Sequence, residues 1–381
     1  MPGTHEGLEG IKATSTRLSL VDGTAGRLIL AGYDVEAIAP RAKFEEMAHL
    51  LWYGRLPMGH ELETLKRDLA SRRRLPKPTS TLLRDAAKAS TPIIDAVRMA
   101  VATLSLGRIE APEEDTRTLL AAFPTIVGEY WHLINAEEPV EPRADLSHAE
   151  YCLYQIFGCL PEEIDPERTR GLETYLNTVC DHGLNASTFA ARVIVSTHSD
   201  LVSAVTGAVG ALKGPLHGGA PGPALDMVGE ISTADRAEQV ILAKLERGER
   251  LMGFGHRVYR TRDPRADVLA AAAEKFYATS GDKDFYALAR QVEKTALRLL
   301  SKHKPGRHLD TNVEFYTALL LNGLGFPKEL FTPIFAIARV LGWTAHCLEQ
   351  LRNGRLIRPD AEYIGPVDLT FSSVPTASPL N

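Results

Sequence analysis

Three histidines, a set of arginines and one acid supply the groups from which acid–base chemistry on an anionic substrate is built. His256 lies in Met252-Gly-Phe-Gly-His256-Arg-Val-Tyr-Arg260-Thr-Arg-Asp-Pro-Arg265-Ala-Asp267, with arginines at 257, 260, 262 and 265. The glycines at 253 and 255 let the backbone pass close to a ligand. Pro264 suits the first position of a helix, which leaves Arg265 on an exposed first turn whose free amides attract anions. The chemical reading is a polyanion site with an imidazole at its edge; the alternative is a solvated basic loop ahead of a helix.

Two more histidines stand in unusual settings. His182 falls in Cys180-Asp-His-Gly-Leu-Asn185 between two apolar stretches, and His217 in the Gly/Pro cluster Gly214-Pro-Leu-His217-Gly-Gly-Ala-Pro-Gly-Pro223. Arg339 interrupts an apolar helix and needs an anionic partner, either a bound ligand or a carboxylate of a neighbouring helix. Glu314 enters an apolar helix from Asn312-Val-Glu-Phe-Tyr and reads equally as a base or as a helix-capping acid. Arg358 precedes Pro359 in a loop. No His-Glu-x-x-His pattern occurs, so no metal site is expected. The glycines around His217 lack the Gly-Lys-Ser/Thr ending of a phosphate-binding loop, which argues against a nucleoside triphosphatase.

The elements that must position these residues are helices. Phe44, Met47, Ala48 and Leu51 recur at helical spacing up to Gly54, and Leu62, Leu65 and Leu69 continue the pattern. A helix from Glu113 contains Pro124, which predicts a kink. Residues 136–147 are charged and Pro-rich and read as a loop. Further helices are expected at 148–158, 166–180, 185–197, 201–212, 224–230, 233–248, 264–279, 284–302, 312–322 and 329–352, the last being the longest. The small residues of 201–212 suit close approach of another backbone. A β-hairpin at about 17–30 turns on Asp22-Gly-Thr-Ala-Gly26. The class is all-α, and a chain of 381 residues predicts two domains with a hinge at 214–223. The final fifteen residues read as a tail.

Composition narrows the function. With 44% hydrophobic and 24% charged residues the chain is an ordinary globular protein, and its net charge of -5 argues against nucleic-acid binding. The first residues carry no signal segment and no run of about 18 apolar residues occurs, so no membrane association and a cytoplasmic address are expected. Cys152, Cys159, Cys180 and Cys347 read as free buried thiols.

Together these segments resemble citrate synthase in its shorter bacterial and archaeal form. The motifs that carry the resemblance are Gly214-Pro-Leu-His217-Gly-Gly-Ala, Gly253-Phe-Gly-His256-Arg-Val-Tyr-Arg-Thr-Arg-Asp-Pro-Arg265 and Asn312-Val-Glu314-Phe-Tyr, in the family's order. The resemblance implies an all-α homodimer with shared sites. It divides each chain into a large domain (1–217 and 319–381) and a small acyl-CoA-side domain (218–318). It implies condensation of acetyl-CoA with oxaloacetate and water to give citrate and CoA through an enol(ate), with no tightly bound cofactor. His217 would donate to the thioester carbonyl, Glu314 would be the base, and His256 would polarise the ketone. His182, His256, Arg265 and Arg339 would hold oxaloacetate, Arg358 would reach across the dimer, and Arg260 would contact CoA; Arg257 and Arg262 receive no role. The family base is usually aspartate, so Glu314 is a departure. It leaves open a shifted base, an altered acyl-CoA preference as in a 2-methylcitrate synthase using propionyl-CoA, or binding without catalysis.

Overall fold

The computed structural model describes residues 6–8, 10–107, 111–159, 161–218, 221–256, 258–307 and 309–370. Arg257, Gly219, Ala220 and most of the expected tail lie outside the described residues. The chain opens with a small antiparallel sheet of β1 (Ser19–Asp22), β2 (Arg27–Leu30) and β3 (Tyr33–Asp34), in that order, with Ser19 opposite Leu30 and Leu30 opposite Tyr33. Asp22 makes the turn by accepting from the amides of Thr24 and Ala25. The hairpin falls where turn chemistry predicts it; the two-residue β3 is too short to leave a periodic signal.

Helices follow: α1 (Val35–Ile38), α2 (Phe44–Tyr53), α3 (Gly59–Ser71), α4 (Lys77–Lys88), α5 (Ile93–Ala102), α6 (Pro112–Ile134) and α7 (His148–Phe157). Then come α8 (Pro166–Val179), α9 (Ala186–Val195), α10 (Leu201–Leu212), α11 (Pro221–Ile231), α12 (Ala237–Glu246), α13 (Pro264–Thr279), α14 (Lys283–His303), α15 (Val313–Gly323) and α16 (Phe331–Asn353). The class is all-α, as expected. Helix α6 runs through Pro124 as one element and equals α16 at 23 residues. Helix α11 begins at Pro221, inside the Gly/Pro cluster, because prolines in a first turn forfeit only amides that would be unpaired there.

Helix α16 is apolar on every side, which marks a central helix, and α2, α6, α8, α9 and α10 surround it. It is long and apolar enough to cross a membrane by composition, yet it is largely buried inside this fold. At Gly342 a Cβ would stand 2.3 Å from the Cys180 carbonyl oxygen. Only glycine lets α16 come this near the end of α8, and the segment carrying His182 is thereby seated on α16. The backbone approach foreseen for α10 is not what is seen at Gly207, where the side chain of Ile194 on α9 fills the space. At the other end of the molecule α13 packs between α8 and α15, while α14 lies on α11 and α12.

The hairpin touches two of the three segments that bear the singled-out histidines. Ser19 Oγ accepts from the Gly183 amide at 2.9 Å, and the Gly23 carbonyl accepts from the Arg260 amide at 2.8 Å.

Candidate active site

The segment 252–267 is pinned to the start of α15 by backbone bonds. Phe254 forms an isolated antiparallel bridge with Thr311, the Asn312 amide donates to Gly253 O at 2.9 Å, and the Gly255 amide donates to Asp310 O at 2.7 Å. Asn312 caps α15 by accepting from the Glu314 amide, while its own Nδ2 donates to Gly255 O. Gly253 (φ 87°) has no room for a side chain, since a Cβ would lie 2.9 Å from that of Phe315. His256 and Glu314 are therefore held on one rigid piece.

Each charge in this piece is aimed. His256 Nδ1 accepts from the amides of Val258 and Tyr259, both at 3.0 Å. The ring proton is thus fixed on Nε2. Burial, together with the nearby Arg265 cation, pushes the ring down to about 4, so the imidazole is neutral at pH 7 and offers one N–H donor. Arg265 is buried; Asp263 grips it through Nε at 3.1 Å and Nη2 at 2.8 Å. Its Nη2 lies 3.3 Å from His256 Nε2. Two donors that face each other at this distance want an acceptor oxygen between them. The Arg265 amide is itself taken by the Asp263 carboxylate. This corrects the sequence expectation of an exposed first turn with free amides: the side chain, not the helix end, is what an anion would meet. The Glu314 carboxylate makes no hydrogen bond among the described residues. Burial raises it to about 7 against the lowering pull of Arg265 and Arg339, which suits a general base working near neutrality.

The helical core supplies the facing groups. His182 follows α8, and its Nε2 lies 3.0 Å from the Tyr259 hydroxyl with its ring 5.9 Å from that of His256. Burial and the Arg265 cation keep His182 well below the usual histidine range. Arg339 on α16 donates from Nε to Val179 O at 2.7 Å and lies 4.6 Å over the Phe335 ring. It forms no ion pair among the described residues, and its two terminal nitrogens are uncommitted. The structural alternative for Arg339, a carboxylate partner on a neighbouring helix, is therefore not what is seen. The other edge of Phe335 meets His217, ring to ring at 6.3 Å. His217 Nε2 lies 2.7 Å from Ser187 Oγ, which accepts from Trp343 Nε1 at 3.0 Å and donates to Asn185 Oδ1 at 2.8 Å. Burial and Arg339 push His217 down to about 4, so it too is neutral.

A cleft of about 490 Å³ opens beside His256, with Phe254 and Leu309 as apolar wall and Arg250, Lys304 and Arg307 as cations. Roomier clefts of 660, 700 and 720 Å³ among α2–α6 hold none of the residues above. Arg260 is exposed and does not line the cleft beside His256; its backbone serves the hairpin. Arg262 pairs with Asp267 and Glu293. Arg358 is exposed near Asp360 and lines a separate groove of 380 Å³ with Ile11 and Thr14. The structure thus gathers His182, His217, His256, Arg265, Glu314 and Arg339, and leaves Arg260 and Arg358 outside. No metal-ligating cluster occurs among the described residues. Cys152, Cys180 and Cys347 are buried free thiols, whereas Cys159 is half-buried.

Sequence reasoning missed Tyr259, Ser187 and Asp263, whose importance arises from neighbours distant in the chain. Tyr259 and Asp263 stood inside the singled-out motif, and their position beside His256 and Arg265 was the available signal. Ser187 gave none.

Comparison with known proteins agrees with this geometry. The family model described as "Citrate synthase, C-terminal domain" matches residues 7–360. Citrate synthase of Haloferax volcanii is 38% identical over 379 residues, covering 97% of each chain. A 2-methylcitrate synthase of Shewanella oneidensis is 37% identical over 369 residues, covering 95% of each. The ternary complex of carboxymethyl coenzyme A and oxaloacetate with citrate synthase from Thermoplasma acidophilum matches with a TM-score of 0.87 at 31% identity, over 97% of this chain and 98% of that one. A match of this extent, over nearly the whole of an all-α scaffold, makes the chain a member of the citrate synthase family of acyltransferases.

Proposed function

We propose that the site condenses acetyl-CoA with oxaloacetate and hydrolyses the resulting citryl-CoA to citrate and CoA. The observation that carries this reading is the pairing of a carboxylate raised to about 7 with two neutral histidines on the walls of one anion site. A thioester methyl is a weak carbon acid; a base of ordinary carboxylate pKa would recapture little of its proton, and a stabilised enolate oxygen lowers the barrier further. Glu314 takes the methyl proton while His217 donates to the thioester oxygen. For that donor to be Nδ1, the Ser187 hydroxyl proton turns from Asn185 Oδ1 to His217 Nε2, while Trp343 N–H keeps filling a serine lone pair. The enol carbon then attacks the oxaloacetate ketone, whose oxygen accepts from the fixed Nε2–H of His256. His182, Arg265 and Arg339 hold the two carboxylates. Water then cleaves the thioester and CoA leaves.

The remaining assignments follow from charge. Arg250, Lys304 and Arg307, besides the more distant Arg260, offer cations to the CoA phosphates beside His256. Arg358 would complete the oxaloacetate site of a second subunit in a homodimer, since it is exposed and apart from its own site. Residues 218–318 would form the small domain that closes on the substrates, with residues 1–217 and 319–381 as the large domain.

The second reading, propionyl-CoA as the acyl donor, is favoured by the Shewanella relative and by Glu314. One methylene is worth only about 1–3 kcal/mol in a pocket. Steady-state kinetics with both thioesters decides. A kcat/KM at least tenfold higher for acetyl-CoA is expected, and the reverse preference would overturn it; undetectable turnover with either thioester, with oxaloacetate still bound, would leave a non-catalytic binding protein.

A further inference from the structure

Glu293 lies on α14, outside the walls of the cleft, yet only 5% of it is exposed. A carboxylate is costly to bury unless its oxygens are answered by donors, and four donors answer this one. Thr311 Oγ donates to Oε1 at 2.7 Å and Arg262 Nη1 to the same oxygen at 3.3 Å. The Tyr316 hydroxyl donates to Oε2 at 2.6 Å and Arg290 Nη1 at 2.9 Å.

Three of these donors belong to the segments that carry the reacting groups. Arg262 stands three residues before Arg265. Thr311 bridges Phe254, two residues before His256, and directly precedes the Asn312 cap. Tyr316 is two residues beyond Glu314 on α15. Asp263 ties the same segments together from the substrate side by gripping Arg265 and accepting from the Val313 amide at 3.2 Å. Glu293 ties them from the outer side. We infer that Glu293 is a positioning residue, resting on the proposed condensation: its carboxylate sets the spacing between the His256 loop, Arg265 and the helix that presents Glu314. A buried ionic network contributes little to stability compared with an apolar replacement of the same shape. What it does supply here is a single point from which the positions of two separate stretches of chain are measured.

The test compares wild type, Glu293→Gln, Glu293→Asp and Thr311→Val in citrate formation from acetyl-CoA and oxaloacetate, with the melting temperature of each. Displacing a reacting group by about 1 Å costs roughly a hundredfold in rate. Folded Glu293→Gln is expected to lose on the order of 10–100-fold in kcat, with KM for acetyl-CoA within about twofold of wild type. Glu293→Asp, which keeps the charge on a shorter arm, recovers part of the loss. A folded Glu293→Gln with wild-type kcat overturns the inference, as does a loss that merely follows the unfolded fraction. If Glu293→Gln does not fold, Thr311→Val decides: a several-fold fall in kcat at a near-unchanged melting temperature supports the role, and wild-type kcat refutes it. Failure of the underlying reading shows separately, as absence of turnover by the wild type.

Discussion

The two walls of the site are built by different means. On the wall formed by 252–267 and the start of α15, polar groups are held by other polar groups: His256 by two amides, Arg265 by Asp263, the loop itself by a β-bridge. On the wall formed by α8, α9 and α16, they are held by packing. Arg339 lies on Phe335, His217 meets the same ring, and Gly342 lets α16 approach the His182 segment. The polar wall commits His256 Nδ1 to two amides and Arg265 Nε to Asp263, which leaves His256 Nε2 to face a ligand, so it specifies direction. The packed wall leaves the terminal nitrogens of Arg339 uncommitted among the described residues, so it specifies distance.

The sharpest way to break the comparison is at Glu314, which belongs to the polar wall but whose carboxylate makes no hydrogen bond among the described residues. Glu314→Gln is expected to lower kcat by roughly 10²–10⁴. In the wild type, kcat should rise with pH through about 7, because only the ionised carboxylate is a base. The stability effect has the opposite sign. A carboxylate raised by burial favours the folded state at low pH and loses that contribution as pH rises through 7. At pH 8 the variant should therefore melt higher, by on the order of 1–3 kcal/mol in stability after allowance for its partial exposure. A lower melting point at pH 8 would contradict the stated cause of the shift.

Next comes Asp263→Ala, which strands the Arg265 charge. Breaking a buried pair costs about 3–5 kcal/mol, and chemical denaturation should show that loss together with a raised KM for oxaloacetate. On the packed wall Phe335→Leu should cost less, about 1–3 kcal/mol. It should raise KM for oxaloacetate and lower kcat together, since one ring supports both Arg339 and His217; an effect on KM alone would separate the two groups. The smallest effect concerns the histidines. Held near 4, His217 and His256 stay neutral from pH 8 down to about 5.5, and KM for oxaloacetate should be flat over that range. The unfolded chain takes up protons below 6.5 that the folded one refuses, so stability declines as the pH falls from 6.5 toward 4.

Legibility in the sequence followed the same division. Helix α16 was legible as a long apolar stretch, and α13 and α15 began close to Pro264 and Asn312, which open them. Helix α4 went unread because Lys77-Pro-Thr-Ser-Thr-Leu-Leu offers few apolar positions at helical spacing. His182, His217, His256, Arg265 and Arg339 could be singled out because each is chemically out of place among its neighbours. Arg250, Lys304 and Arg307 could not, since each is an ordinary cation in a polar stretch and only the fold brings them to one cleft. Glu293 on its helix reads as a surface acid, and Ser187 as one small residue among several.

The hairpin at the start of the chain has a consequence for observation. Its turn holds the Arg260 amide and its first strand holds the Gly183 amide, so two exchangeable hydrogens, one on each wall, share a single external brace. Any rolling of the arginine loop about the core must stretch the first bond and can leave the second intact. The difference in deuterium uptake between these two amides, with and without oxaloacetate, would test the closure proposed for residues 218–318, in a protein carrying no label.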